Sequence, residues 1–309
     1  MLFAKSAKKL YIVLGAIFLV TVVVVLFKSF GNGKSETGTG FPTFDTARVS
    51  MIKMLPKGGD GEIIFTKEEG KWFLTAKSLN NKTVEASTER LEGMIGLLSG
   101  MKIVNLVARK AEDLKKYGLD TGATVVKLFI DEENVFEIAI GRAEMISQQE
   151  MGSYVKAAGS DDIYLVSGFL DMIFNSDLSL YRNKSLTFGG AESWQEIKYS
   201  GNEDFTMKRN VLDWETGGIK LDSAKIKEYL TTFATLEGND FVNDFTPGEE
   251  QKSFAKVDVK TVSGRHFAIE AYKVKNDTLI STTLNPGAFF RSGEESLYKK
   301  VFPGLKNLK

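Results

Sequence analysis

The chain of 309 residues carries 40 basic and 40 acidic side chains, so it lacks the basic excess that a dedicated nucleic-acid binder needs to neutralise phosphates. It contains no Cys, which removes disulfides, thiolate metal sites, thiol nucleophiles and a lipid anchor on Cys together. With 43% hydrophobic residues, among them 22 Phe, it can fill a core, and long disorder is not expected.

Residues 10–27 (LYIVLGAIFLVTVVVVLF) hold no charged side chain. As an α-helix they would span about 27 Å, close to the roughly 30 Å of a hydrocarbon core. Residues 10–28 are therefore expected to form a single transmembrane anchor. Lys5, Lys8 and Lys9 precede the run, whereas Lys28 and Lys34 behind it are partly offset by Glu36. The positive-inside rule then puts residues 1–9 in the cytoplasm and the rest outside it. A cleaved signal peptide shares the basic start and apolar run, but this run is long for one and LFKSFGNGK offers no small-x-small cleavage site. Residues 29–43 read as a flexible linker, because GNGKSETGTG is rich in Gly with small or charged companions. Its GNGKS is a chance likeness to a phosphate-binding loop: Lys28 stands where the pattern wants Gly, and no buried strand precedes it.

Strand-like runs at 49–54, 62–67 and 72–75 follow, divided by turn residues. Leu91, Met94, Ile95, Leu98 and Met101 then form one apolar helical stripe, with Ser87 placed to cap it. A second helix is expected at 111–117, ending at Gly118, and runs 125–130 and 135–140 flank DEEN as a hairpin. Further strands at 154–157 and 163–167 lead to a closing helix at 168–175.

After Arg182 the order begins again, with strands at 196–200, 205–209 and Trp214. The helix stripe Ile226, Tyr229, Leu230, Phe233 and Leu236 has the spacing of the first, and Asp222 stands where Ser87 stood. GMKIVN (from Gly100) is answered by GNDFVN (from Gly238). Phe136 and Ile138 are answered by Phe267 and Ile269, and Trp72 by Trp214. The expected architecture is α+β: two similar units, 44–187 and 188–309, each an antiparallel sheet with a helix on one face.

The segment KAEDLKKYGLD (110–120), followed by a hairpin ending in Ile140-Gly141-Arg142, resembles the bacterial family named domain of unknown function 4340. The N-terminal anchor, EGKWFLT with Trp72, the capped helix, YVKA and IYLV are similar too. Where members commonly place Pro after the Gly-Leu pair, this chain has Asp120-Thr121-Gly122. Such proteins are often encoded beside gliding-motility-type ABC transporters, so the resemblance implies an accessory role in an envelope transporter complex. It supplies no catalytic residues.

His266 is the only His, which rules out a multi-His metal site, and it shares a strand face with Ala268 and Glu270. A solvated strand His is the expectation, rather than a base oriented by Glu270. Acid pairs at Glu68-Glu69, Glu132-Glu133, Asp161-Asp162, Glu249-Glu250 and Glu294-Glu295 fall in turn-like segments, not in the facing arrangement of a glycosidase. Asn81, Asn183 and Asn276 open glycosylation-type triplets, which in a bacterial chain carry no meaning. Trp72 and Trp214 are expected in two cores. No catalytic, cofactor-binding or metal-ligating residue is assigned, and no cofactor is expected. The function expected is that of a non-enzymatic, membrane-anchored envelope protein, an accessory or scaffold component of an ABC-transporter-type complex. The alternative is a binding module for a small molecule or envelope glycan in the groove between the two units.

Overall fold

The computed structural model describes residues 41–109, 112–211, 213–248, 251–293 and 296–309. The expected anchor and most of the linker lie outside them, as do the pairs Glu249-Glu250 and Glu294-Glu295. No helix among the described residues is long and apolar enough to cross a membrane.

Alternating apolar and polar residues build the first sheet from β1 (Met51–Leu55), β2 (Ile63–Glu68), β3 (Lys71–Ala76), β4 (Thr83–Glu85) and β5 (Ile103–Ala108). It is completed by β6 (Thr124–Ile130), β7 (Glu133–Met145), β8 (Met151–Ala157) and β9 (Ile163–Ser167). Its order is β4-β3-β2-β1-β6-β7-β8-β9-β5, antiparallel throughout. Ile52, Met54, Phe65, Trp72, Leu74, Val126, Leu128, Phe136 and Ile138 face one core. Onto it α1 (Thr88–Ser99) lays Leu91, Met94, Ile95 and Leu98. Each fully buried side chain of that stripe stabilises the helix on the sheet by about 1.5–3 kcal/mol. The Ser87 hydroxyl accepts from the Arg90 amide at 3.3 Å, capping the helix as its sequence position implies.

The second sheet contains β10 (Trp194–Ser200), β11 (Phe205–Asn210), β12 (Asp213–Thr216), β13 (Ile219–Lys220), β14 (Ala255–Thr261), β15 (His266–Val274), β16 (Asp277–Thr282) and β17 (Phe289–Arg291). Their order, β13-β12-β11-β10-β14-β15-β16-β17, repeats that of the first sheet element for element. Even β5 has a counterpart: an isolated bridge sets Phe241 beside Phe290 of β17, as β5 lies beside β9. The last α2 (Leu170–Ile173) of the first half, α3 (Ser223–Ala234) and α4 (Leu297–Val301) supply the remaining helices. On α3, Ile226, Leu230 and Phe233 cover the second core, and the Asp222 carboxylate accepts from the Ala224 and Lys225 amides at 2.9 Å. Those backbone bonds, with the Lys225 one foremost, hold its pKa below the usual carboxylate value.

Three local expectations change. The helix expected at 111–117 is a single 3-10 turn, Leu114–Tyr117, ended by Gly118 at φ 66°. The helix at 168–175 shrinks to the four residues of α2. The DEEN loop is a two-residue turn: Asp131 and Glu132 take positive φ, 48° and 69°, and Glu133 already belongs to β7. Two left-handed residues match the twist of the flanking strands, which a four-residue loop would not require.

Candidate functional site

The described acidic pairs sit at strand ends and turns: Glu68 closes β2 with Glu69 in the turn to β3, Glu132 is in the β6–β7 turn with Glu133 opening β7, and Asp161-Asp162 precede β9. Among the described residues no three His, Cys, Asp or Glu gather in a metal-binding group. His266 is exposed and lies opposite Lys260. Glu270 does not orient it; its carboxylate accepts from the Tyr272 hydroxyl at 2.5 Å. Burial first, then that carboxylate, pushes Tyr272 up to about 12. The face shared by His266 is also less polar than its sequence suggests. Ala268 and Tyr272 are buried on it, Tyr272 packing with Leu279, Phe289 and Phe245. Trp72 and Trp214 sit in the two cores as expected.

KAEDLKKYGLD and the Ile140-Gly141-Arg142 corner meet. Arg142 donates through Nε to the Lys116 carbonyl at 2.9 Å, and its guanidinium lies 5.1 Å from the Tyr154 ring centre. A Cβ on Gly141 would stand 2.2 Å from the Tyr117 carbonyl oxygen, and one on Gly118 2.8 Å from the Arg142 amide. Both glycines permit backbones to touch, and the ladder between β7 and β8 breaks register there. These residues clamp the 3-10 turn over Leu119, Tyr154, Ile163 and Leu165 on the outer sheet face.

The polar chemistry concentrates where the two sheets join. Residues 181–186 run as a strap between them. The Ser87 amide donates to the Tyr181 carbonyl and Asn183 to Glu85, while Leu186 donates to Leu236 and Gly238 to Lys184. Asn285 Nδ2 donates to the Asn183 carbonyl at 2.9 Å, and Thr282 Oγ1 to the Leu186 carbonyl at 3.1 Å.

Arg182 lies in the middle of this strap, only 5% exposed. Its Nη1 donates to Asn243 Oδ1 at 2.7 Å, and its guanidinium stacks 3.6 Å over the centre of the Phe241 ring. Its buried Nε has no partner. Among the described residues no carboxylate pairs with it, and burial lowers its pKa to about 10. The nearby Glu85 is already engaged by Lys71 at 3.0 Å and by Asn183 Nδ2 at 2.7 Å.

Arg182 lines a groove of about 930 Å³ along the seam. Phe73 of β3, Leu79 of the turn after it and Val84 of β4 form one wall; Phe245 and Pro247 of the loop before β14, with Phe289 of β17, form the other. A second recess of about 660 Å³ runs along α1 from its N-terminal end, between Arg90, Lys184 and Glu237, and Arg182 lines it too. In the sequence Arg182 only marks where the second unit begins, and nothing in its local context, Tyr-Arg-Asn, signals a buried charge.

No curated protein and no solved structure matches the chain. A protein-family model described as a domain of unknown function, DUF4340, matches residues 72–256. That stretch is more than half of the chain and contains the clamp, the strap, most of the first sheet and β10 to β13 of the second; the chain belongs to the DUF4340 family.

Proposed function

We propose that the protein is a non-enzymatic, single-pass envelope protein, held in the bacterial cytoplasmic membrane by residues 10–28 with its body outside. In this reading it serves as an accessory or scaffold component of an ABC-transporter-type complex, and its body arose by duplication of one sheet-and-helix unit. The observation that carries the reading is the uncharged run 10–27, flanked by lysines on its N-terminal side and joined by a short linker to the folded body. A flexible tether of ten residues reaches only some 16–19 Å, so the body works close to the bilayer. The family resemblance supplies the class of partner. Purification of the tagged full-length chain in mild detergent is expected to co-recover membrane subunits of an ABC transporter. Recovery of the chain alone, or a body that resists protease added outside spheroplasts, overturns it.

A second reading, a binding module, is favoured by one specific observation. The seam groove has aromatic walls from both halves and a single buried cation, an arrangement typical of small-molecule sites.

A further inference from the structure

We propose that the seam groove binds a small amphiphile whose one anionic group, carboxylate or phosphate, meets Arg182 while its apolar body lies between Phe73, Phe245 and Phe289. This rests on the binding-module reading and goes further, because it names the charge and shape of the ligand.

A guanidinium has five N–H donors, and burying them without partners is costly. Arg182 spends one donor on Asn243 and one face on Phe241. Among the described residues its Nε has no partner, and Nη2 makes no hydrogen bond either. The Nε–Nη2 edge can grip a planar oxyanion with two parallel bonds; Nε is closed to solvent, so Nη2 makes the first contact and Nε joins it as the bound ligand displaces the lining beside it. Asn243 and Phe241 thus hold the head in place from the opposite edge and from one face. This supports a preorganised anchor better than a side chain seeking water.

The surroundings fit an anion. Glu85, the acid lining the groove, is neutralised by Lys71, and Lys82 adds a further positive charge to the wall. The rest of the lining is mainly aromatic, aliphatic or Pro, which suits an apolar tail and not a sugar bristling with hydroxyls.

The test uses the full-length protein in nanodiscs of zwitterionic lipid, titrated calorimetrically with hexanoate, hexyl phosphate and hexanol against empty nanodiscs. At least one anion is expected to saturate a single site and to bind about tenfold tighter than hexanol, the range of a charge-assisted hydrogen bond. The stronger of the two anions identifies the head group. Affinity holds from about pH 6 to about pH 9 for hexanoate, since neither partner titrates there. Arg182→Met removes the anion preference and leaves hexanol binding in place, whereas Phe73→Ala weakens all three probes. Hexanol binding as tightly as both anions overturns the anionic ligand but spares the groove. Failure of every probe to bind overturns both readings. If Arg182→Met does not fold, the unsubstituted protein decides: excess inorganic phosphate displaces hexanoate but not hexanol, and hexanoate that resists displacement overturns the assignment.

Discussion

Tyr199 and Tyr229 meet hydroxyl to hydroxyl at 2.5 Å inside the second core, and Tyr229 donates onward to the Val301 carbonyl at 3.1 Å. Burial raises both phenols well above their ordinary value near 10. The folded state therefore keeps two protons that the unfolded chain releases above about pH 10. Stability from this pair is complete below that pH and falls as pH rises toward the folded values. Each group contributes a slope of about 1.4 kcal/mol per pH unit while only the unfolded form is ionised. Tyr199→Phe is expected to remove one such slope, measured by urea midpoints between about pH 9 and about pH 11. An unchanged slope would mean that Tyr199 is not buried. Neither tyrosine announces this in the sequence. Tyr229 is visible as part of a helical stripe, but its partner across the core depends on how the helix is laid on the sheet. Arg182 is the stronger case of the same limit. Its charge is legible, its burial is not.

At the scale of elements, the clamp over β7 depends on two backbone approaches. Gly141→Ala forces a Cβ to within 2.2 Å of the Tyr117 carbonyl oxygen, so strand or turn must move. The expected cost is about 1–3 kcal/mol in urea denaturation, typical of overpacking. Gly96→Ala is the contrasting substitution. Gly96 is exposed in the middle of α1 and an added Cβ meets nothing within 4 Å, so stability should rise by about 0.5–1 kcal/mol. Two losses of similar size would remove the case for the clamp. The long elements were legible because their apolar residues repeat strongly: every third or fourth residue in α1 and α3, every second in β1 to β3 and β14 to β15. β4 and β13 are too short to show a period. β5 lies at a sheet edge with Val104, Asn105 and Leu106 exposed, so its residues do not alternate. The fourth helix, Leu297–Val301, is a single short turn capped by Ser296 in a left-handed conformation, which β-like periodicity could not reveal.

Across the whole molecule, the strap couples the halves through backbone hydrogen bonds made on both sides within six residues. One calorimetric unfolding transition is expected for the body. Asn285→Ala leaves the Asn183 carbonyl without its buried donor, at about 1–3 kcal/mol, and is expected to split that transition into two. Two transitions already present in the unsubstituted protein would mean that the strap does not bind the halves into one cooperative unit.

By itself the sequence determined the two-sheet α+β plan, the capped helices and the faces that enter each core. It did so because hydrophobic period and end-capping are local properties of the chain. Only the tertiary structure decided the seam. Arg182 meets Asn243, 61 positions away, and Phe73 faces a wall that holds Phe289. A local pattern states which face of an element avoids water. It carries no record of which distant face closes over it, and a groove exists only where two such faces meet imperfectly.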